Sequence, residues 1–194
     1  MEVNSAEFVA SYPQVNQCPK DGKPEFAFIG RSNVGKSSLI NMLTRKGLAK
    51  VSATPGKTRL LNYFLINKTW YLVDLPGYGY ARVSKGQQKT LASMINGYFY
   101  NRTELYCAFV LIDSNIPPSK IDIAFINGLG EQSVPFAIAF TKTDRIGKPT
   151  IDKNIALFMD ELSKTWETLP PYFITSSERK TGKTEILDFI EQYL

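Results

Sequence analysis

The stretch GRSNVGKSS at residues 30–38 constrains the fold more than any other part of the sequence. It contains the spacing G-x-x-x-x-G-K-S, formed by Gly30, Gly35, Lys36 and Ser37, between an apolar run and a segment of helical periodicity. The early glycine allows a turn, the late glycine allows close backbone approach, the lysine neutralises terminal phosphates and the hydroxyl can bind Mg²⁺. The pattern predicts a phosphate-binding loop between a strand and a helix.

Two further Gly-Lys-Thr triplets stand at residues 56–58 and 182–184. Their early glycine would have to be at Val51 and at Ser177, so neither has the spacing of a phosphate loop. The triplet at 182–184 precedes apolar residues on one helical face, which predicts a helix start rather than a ligand site.

An acidic residue closes the apolar run at residues 70–73. Asp74 begins the sequence Asp-Leu-Pro-Gly, in which the carboxylate can reach toward Mg²⁺ and the amide of Gly77 can meet a γ-phosphate. An Asp before Pro-Gly is also a common turn. Asp74 ends the strand that follows a predicted hairpin turn at Asn67-Lys68, and this position favours a role at Mg²⁺ over a simple turn.

The tetrapeptide Thr-Lys-Thr-Asp at residues 141–144 predicts the choice of base. The carboxylate of Asp144 can accept hydrogen bonds from N1–H and the exocyclic amine of guanine, a donor pair that adenine lacks. The stem of Lys142 can cover the ring face, and amides of Thr175, Ser176 and Ser177 can donate to guanine O6. The alternative is a charged surface loop after a strand.

Short apolar runs alternate with helical stretches, which predicts β-α units around a largely parallel sheet. Six strands are predicted, at residues 25–29, 59–66, 69–74, 105–113, 134–140 and 171–174, and five helices, at residues 36–45, 85–98, 119–129, 152–166 and 184–193. Asn67-Lys68 joins the second and third strands as a hairpin, so one strand runs antiparallel. We expect one domain over residues 24–194, preceded by an extension at residues 1–23.

Composition argues against several classes of protein. The longest apolar run, residues 105–112, is far shorter than the roughly 20 residues that cross a bilayer. The first residues lack a basic segment leading into an apolar stretch, so no secretory signal is predicted. We therefore expect a cytoplasmic protein without membrane insertion. Histidine is absent, and Cys18 and Cys107 alone cannot form a disulfide framework or a zinc site.

Charge is distributed unevenly along the chain. Its net charge is +5, but the part from Phe26 to Thr103 carries twelve Lys or Arg residues and one acid, a balance of +11. The remainder carries −6. Either a bound nucleotide accounts for Arg31 and Lys36 and the rest is a solvated face, or this half contacts a polyanion. The number of further basic residues favours the polyanion.

The ordered motifs GRSNVGKS, TPGKT, DLPG, TKTD and TSS resemble those of the translation-factor-related GTPases, from about residue 25 to the end. The finer pattern SATPGKTRLLNYF at residues 52–64, followed by VDLPGYGYA at residues 73–81, is similar to the EngB (YihA/YsxC) family of bacterial ribosome-assembly GTPases. The resemblance implies an α/β fold of the three-layer P-loop GTPase (G domain) type. Its sheet is expected to be six-stranded and mostly parallel, with one antiparallel strand and helices on both faces.

The resemblance also implies roles for individual residues. Thr58, within Gly56-Lys57-Thr58, is expected to act as a switch threonine that binds Mg²⁺ when the γ-phosphate is present. The implied Mg²⁺ ligands are Ser37, Thr58 and, through water, Asp74; the implied catalytic residues are Lys36, Thr58 and Gly77. The nucleotide-binding set comprises Gly30, Arg31, Ser32, Asn33, Val34, Gly35, Lys36, Ser37, Ser38, Gly56, Lys57, Thr58, Asp74, Gly77, Thr141, Lys142, Asp144, Thr175, Ser176 and Ser177.

Three positions bear on how such a site would work. Tyr78 stands where many GTPases have a water-orienting Gln, so slow hydrolysis of GTP to GDP is expected. Asn33 stands where similar GTPases recruit K⁺, which makes K⁺ a candidate second cofactor; alternatively, its side chain stabilises the loop locally. Thr141 replaces an Asn found in many GTPases, and we expect this to weaken a hydrogen bond that tethers the phosphate loop.

Charge and resemblance together indicate the partner. The family implies the large ribosomal subunit or its precursor, both rRNA and ribosomal protein, with effects on cell division and septation. The predicted contact residues are Arg45, Lys46, Lys50, Lys57, Arg59, Arg82, Lys85 and Lys89. A monomer is expected. Two alternatives remain open: an interaction module with negligible turnover and a P-loop kinase-like phosphotransferase.

Overall fold

A computed structural model describes residues 1–44, 59–79 and 84–194. The strands are β1 (Ala6–Tyr12), β2 (Glu25–Gly30), β3 (Leu61–Ile66), β4 (Trp70–Asp74), β5 (Leu105–Asp113), β6 (Phe136–Thr141) and β7 (Tyr172–Ile174). The helices are α1 (Lys36–Thr44), α2 (Lys85–Asn101), α3 (Lys120–Glu131), α4 (Lys148–Ser163) and α5 (Lys183–Glu191). Among the described residues, every helix is too short or too polar to cross a membrane.

All these strands belong to one sheet, in the order β1-β3-β4-β2-β5-β6-β7. β3 runs antiparallel to both β1 and β4, whereas β4, β2, β5, β6 and β7 pair in parallel. The predicted hairpin is confirmed: Asn67 and Lys68 have φ of 49° and 58°, and Thr69 N–H donates to the Ile66 carbonyl. Positive φ at both central residues is the geometry of a type I′ turn, which suits the twist of paired strands.

Helices cover both faces of the sheet. One apolar core contains buried residues of α2, α3 and α4, and the other contains buried residues of α1 and α5. Along the fully buried β2, Ala27 and Ile29 belong to the first core while Phe26 and Phe28 belong to the second. This alternation follows from the two-residue period of a strand and gives the predicted three layers.

The prediction of six strands is wrong by one, because residues 6–12 form the edge strand β1. Asn67 of the hairpin turn holds this segment: its Oδ1 accepts from the amides of Asn4 and Ser5, at 2.8 and 3.1 Å. The Met1 ammonium lies 2.7 Å from Asp188 and 2.8 Å from Glu191 of α5. Much of the segment predicted as an extension is therefore built into the sheet.

Candidate functional site

The phosphate-loop sequence lies between β2 and α1, as predicted. A Cβ atom at Gly30 would come within 2.8 Å of the Val34 side chain and 3.0 Å of the Leu111 carbonyl, so this position has no room for a side chain. Gly35 has φ of +100° and its carbonyl accepts the α1 hydrogen bond from Leu39 N–H, at 2.9 Å. The loop thus ends in a helix N-terminus, where backbone amides and the helix dipole favour an anion.

Lys36 and Asp74 meet beside this loop. β2 pairs with β4 so that Phe28 is opposite Asp74, which brings the end of β4 to the phosphate loop. The Lys36 ammonium contacts the Asp74 carboxylate, and both side chains are almost buried. Burial favours the neutral amine and lowers the pKa of Lys36, whereas the adjacent carboxylate favours the charged form. The two side chains that the sequence predicts for phosphate and for metal therefore contact each other.

A Mg²⁺ ion suits the donors at this position. Ser37 follows Lys36 at the start of α1, and Asp74 faces the same loop. Mg²⁺ at phosphate sites keeps several waters and takes only one or two protein ligands in addition to phosphate oxygens. The part of the chain that the structure describes has no cluster of three acidic, His or Cys residues that could hold a metal ion. A Mg²⁺ site at phosphate does not need such a cluster.

The Asp-Leu-Pro-Gly turn is fixed to the end of β2 on both sides of Gly77. Leu75 N–H donates to the Phe28 carbonyl at 3.0 Å, and Tyr78 N–H donates to the Gly30 carbonyl at 3.3 Å. Gly77 consequently lies next to the first residue of the phosphate loop; the contact of its amide with a γ-phosphate stays a prediction. The Tyr78 side chain packs against α3, and its hydroxyl donates to Asp122 at 2.8 Å.

The two predicted guanine-binding segments follow β6 and β7 and lie together. Ser176 donates to the Asp144 carboxylate at 2.5 Å, and the Thr143 hydroxyl donates to the Thr175 carbonyl at 3.0 Å. Asp144 is partly exposed whereas Ser176 is buried. The buried Ser176 hydroxyl thus orients the accessible carboxylate of Asp144. Such an orientation suits a carboxylate that must accept from two donors on one edge of guanine.

Thr141, which stands where many GTPases have Asn, contacts the phosphate loop; that its tether is weaker than one from Asn stays a prediction. Its buried hydroxyl lies 2.6 Å from the Val34 carbonyl and 3.2 Å from the Ile112 carbonyl. β5 and β6 are parallel neighbours, so the end of β6 is close enough for the short Thr side chain to reach the loop. The base-binding and phosphate-binding segments are thereby joined directly.

Two site residues, Asp113 and Asn115, were missed by the sequence analysis. The Lys142 ammonium lies 2.6 Å from Asp113 at the end of β5, and Asn115 donates to the same carboxylate at 2.8 Å. Burial raises the pKa of Asp113, but hydrogen bonds from Lys142 and Asn115 outweigh burial and hold that pKa below its usual value. Asp113 closes an apolar run just as Asp74 does, and that signal could have identified it.

A pocket of about 210 Å³ lies beside the phosphate loop. It is lined by Arg31, Ser32, Asn33, Val34, Asp113, Ile116, Asp122 and Lys142. Asn33 has φ of +63° and is exposed. The middle of the phosphate loop and Lys142 therefore line the same pocket.

The remaining predictions for the site fall into two groups. Gly56, Lys57 and Thr58 lie outside the described residues, as do Arg45, Lys46, Lys50 and Arg82. The predicted helix start at residues 182–184 is confirmed, since α5 begins at Lys183 after Gly182, whose φ is +79°. The Lys183 ammonium donates to the Met42 carbonyl at 2.6 Å, which links α5 to α1.

Comparison with known proteins agrees with this geometry. Residues 25–142 match the family model described as 50S ribosome-binding GTPase. The chain is 58% identical to "Probable GTP-binding protein EngB" of Bacteroides fragilis over 192 residues, covering 98% of this chain and 96% of that protein. Its identity to the protein of the same name from Christiangramia forsetii is 55%, covering 98% of this chain and 97% of that protein.

Solved structures give the same fold. A crystal structure of a probable GTP-binding protein EngB matches with a TM-score of 0.65 and 25% identity, covering 87% of this chain and 97% of that one. Era in complex with MgGDPNP and nucleotides of 16S ribosomal RNA matches with a TM-score of 0.66 and 24% identity, covering 88% of this chain and 56% of that one. The Era likeness concerns the fold alone. The chain belongs to the EngB family of P-loop GTP-binding proteins and is a GTPase.

Proposed function

We propose that this GTPase is a molecular switch in assembly of the large ribosomal subunit, and that it binds the subunit or its precursor through rRNA and ribosomal protein. The observation that carries the proposal is the joining of base-side Thr141 to the phosphate loop, in a chain whose basic residues concentrate in the sequence half that contains this loop. A family described as ribosome-binding supports the choice of partner.

The nucleotide would lie along the described loops. Backbone amides of residues 30–38 would cradle its phosphates, Lys36 would neutralise them, and Asp144 would read guanine with the amides of Thr175, Ser176 and Ser177. Ser37 and, through water, Asp74 would hold Mg²⁺ together with Thr58. The metal would neutralise charge that develops on the phosphate oxygens during hydrolysis.

Slow intrinsic turnover follows from the residue after Gly77. Tyr78 has no side-chain amide to orient the attacking water, and its hydroxyl already donates to Asp122. K⁺ near Asn33 would supply additional positive charge. Turnover that is equal in potassium and sodium buffers would exclude K⁺ from this role.

The proposed RNA contact uses charge rather than a separate RNA-binding motif. Among the described residues of the predicted set, Arg59, Lys85 and Lys89 are exposed, and α2 carries no acidic residue. A polyanion held near Thr58 and Gly77, which would sense the γ-phosphate, would be bound in one nucleotide state and released in the other. We propose a cytoplasmic monomer, with the effects on cell division and septation that the family implies.

Binding to isolated large subunits tests this function. The complex with a non-hydrolysable GTP analogue should weaken as salt concentration rises, because basic side chains release counterions from RNA. Lys89→Glu should weaken binding, while Lys153→Glu, a matched change at an exposed position on α4, should not. Binding that is absent, or independent of salt, would contradict the proposal.

Turnover provides the second part of the test. Single-turnover hydrolysis should be slow for the protein alone and faster with large subunits, since a partner can complete the charge compensation. Hydrolysis that stays negligible with subunits would instead favour an interaction module.

A further inference from the structure

Tyr78, Asp122 and Arg31 form a cluster that we call the α3 clamp. The Tyr78 hydroxyl donates to Asp122 Oδ1 at 2.8 Å, and its ring stacks on Phe125 with centroids 3.9 Å apart and planes at 9°. Arg31 Nη1 lies 4.0 Å from Asp122 Oδ2 and donates to Ser119 Oγ, at 3.3 Å. Tyr78 and Asp122 are 8% and 3% exposed.

The α3 clamp connects both segments that would face the terminal phosphates. Arg31 belongs to the phosphate loop, Tyr78 follows Gly77, and Asp122 lies in the first turn of α3. Burial raises the pKa of Asp122, while the hydrogen bond from Tyr78 and the charge of Arg31 oppose this rise. A carboxylate this buried is costly without partners, so the contact with Tyr78 resists being broken.

Backbone contacts pass the constraint from Tyr78 to Gly77. Leu75 and Tyr78 both donate to carbonyls of the strand end at Phe28 and Gly30. Only Pro76 and Gly77 lie between these two anchored residues. While the side chain of Tyr78 is held on α3, the Gly77 amide is therefore confined beside the phosphate loop.

We propose that Asp122 and Tyr78 are positioning residues, which act through the α3 clamp to preorganise the Gly77 amide for the γ-phosphate of GTP. The inference rests on the proposed function, and within it on the contact with the γ-phosphate that the sequence predicts for the Gly77 amide. An amide held in place before binding avoids the entropic cost of ordering it on binding. GDP lacks the γ-phosphate, so loss of the clamp should weaken GTP binding more than GDP binding.

The test compares dissociation constants for GDPNP and GDP, with Mg²⁺, in full-length variants. Tyr78→Phe and Asp122→Ala should each lower the preference for GDPNP over GDP by about fivefold or more, the lower range of measured coupling between sites. The control is Tyr98→Phe, because the buried Tyr98 hydroxyl also donates to a carboxylate, that of Glu25, at 2.8 Å. This control should lose thermal stability yet keep the wild-type preference within about twofold.

Two results would overturn the proposal. One is a preference that stays within about twofold of wild type in both clamp variants; the other is an equal loss in Tyr98→Phe, which would indicate general destabilisation. Gly77→Ala, measured in parallel, separates this inference from the function on which it rests. If Gly77→Ala lowers the preference and the clamp variants do not, the clamp proposal fails alone; if none of them lowers it, the role of Gly77 fails as well.

Discussion

Replacing Thr141 with valine should loosen the phosphate loop without changing the choice of base. The substitution keeps the shape of the side chain and removes the hydroxyl that lies 2.6 Å from the Val34 carbonyl. Thr141 is 4% exposed, so water cannot readily take the place of this donor. Losing one partner of a buried hydrogen bond costs about 1–3 kcal/mol in the free energy of unfolding.

Part of this cost should appear in nucleotide binding. Each 1 kcal/mol of this lost stability that is also lost from the free energy of nucleotide binding raises the dissociation constant about fivefold. GDP and GTP should be affected alike, because the tether reaches the middle of the loop, while the preference for guanine over adenine should persist because Asp144 is unchanged.

Titration with fluorescent nucleotides, combined with urea denaturation, measures both effects. The matched control is Thr44→Val, which removes a buried hydroxyl that donates to the Ile40 carbonyl at 2.9 Å within α1. It should lose a similar amount of stability and keep wild-type nucleotide affinity. If Thr141→Val binds GDP as tightly as this control does, the tether has no role in holding the loop for phosphate.

Three further predictions concern stability. Asp113→Asn should lower the free energy of unfolding by about 1–2 kcal/mol at neutral pH. Because the pKa of Asp113 is depressed in the folded state, this difference should shrink and vanish in urea titrations as pH falls below about 4. A difference that stays constant with pH would refute the ion pair with Lys142. Glu25→Gln should cost about 3–5 kcal/mol in chemical denaturation, since it leaves the Arg102 guanidinium, 7% exposed, without its buried carboxylate; a loss below about 1 kcal/mol would contradict this. Deleting residues 1–12 should cost more than about 1–3 kcal/mol, which is the share of two aromatic contacts between β1 and β3, because the pairing of the two strands is lost as well; an unchanged urea midpoint would show that β1 is dispensable.

The parts of the site that depend on local spacing could be predicted from the sequence. Gly30 and Gly35 have fixed positions in a loop that begins at a strand and ends at a helix, so local pattern was enough to identify it. Asp74 was identified in the same way, because an acid that ends a buried strand reaches the same edge of a parallel sheet as the loop.

Residues that act across neighbouring strands or helices could not be predicted in this way. Asp122 lies within the helix predicted at residues 119–129, but its contact with Tyr78 depends on how α3 packs on the sheet. The length of the tether at Thr141 could not be predicted, because the distance from β6 to the phosphate loop is a property of the tertiary structure.

Strand β1 was not predicted for a related reason. Its sequence AEFVASY is mostly exposed, and a register shift between Phe8 and Ala10 interrupts its pairing with β3. An edge strand with one neighbour and a bulge carries little hydrophobic alternation. Its position is specified instead by Asn67 and by the ion pairs of the first residue with α5.

The central claim is that one site reads guanine through Asp144 while the phosphate loop holds the phosphates. The most direct measurement is the affinity of wild type, Asp144→Asn and the surface control Asp152→Asn for GTP, GDP and ATP, with Mg²⁺ in potassium buffer. We predict that wild type and the control bind guanine nucleotides at least about a hundredfold more tightly than ATP, and that Asp144→Asn loses this preference. Equal binding of ATP and GTP by the wild-type protein would contradict the assignment of Asp144 and the guanine-switch account built on it.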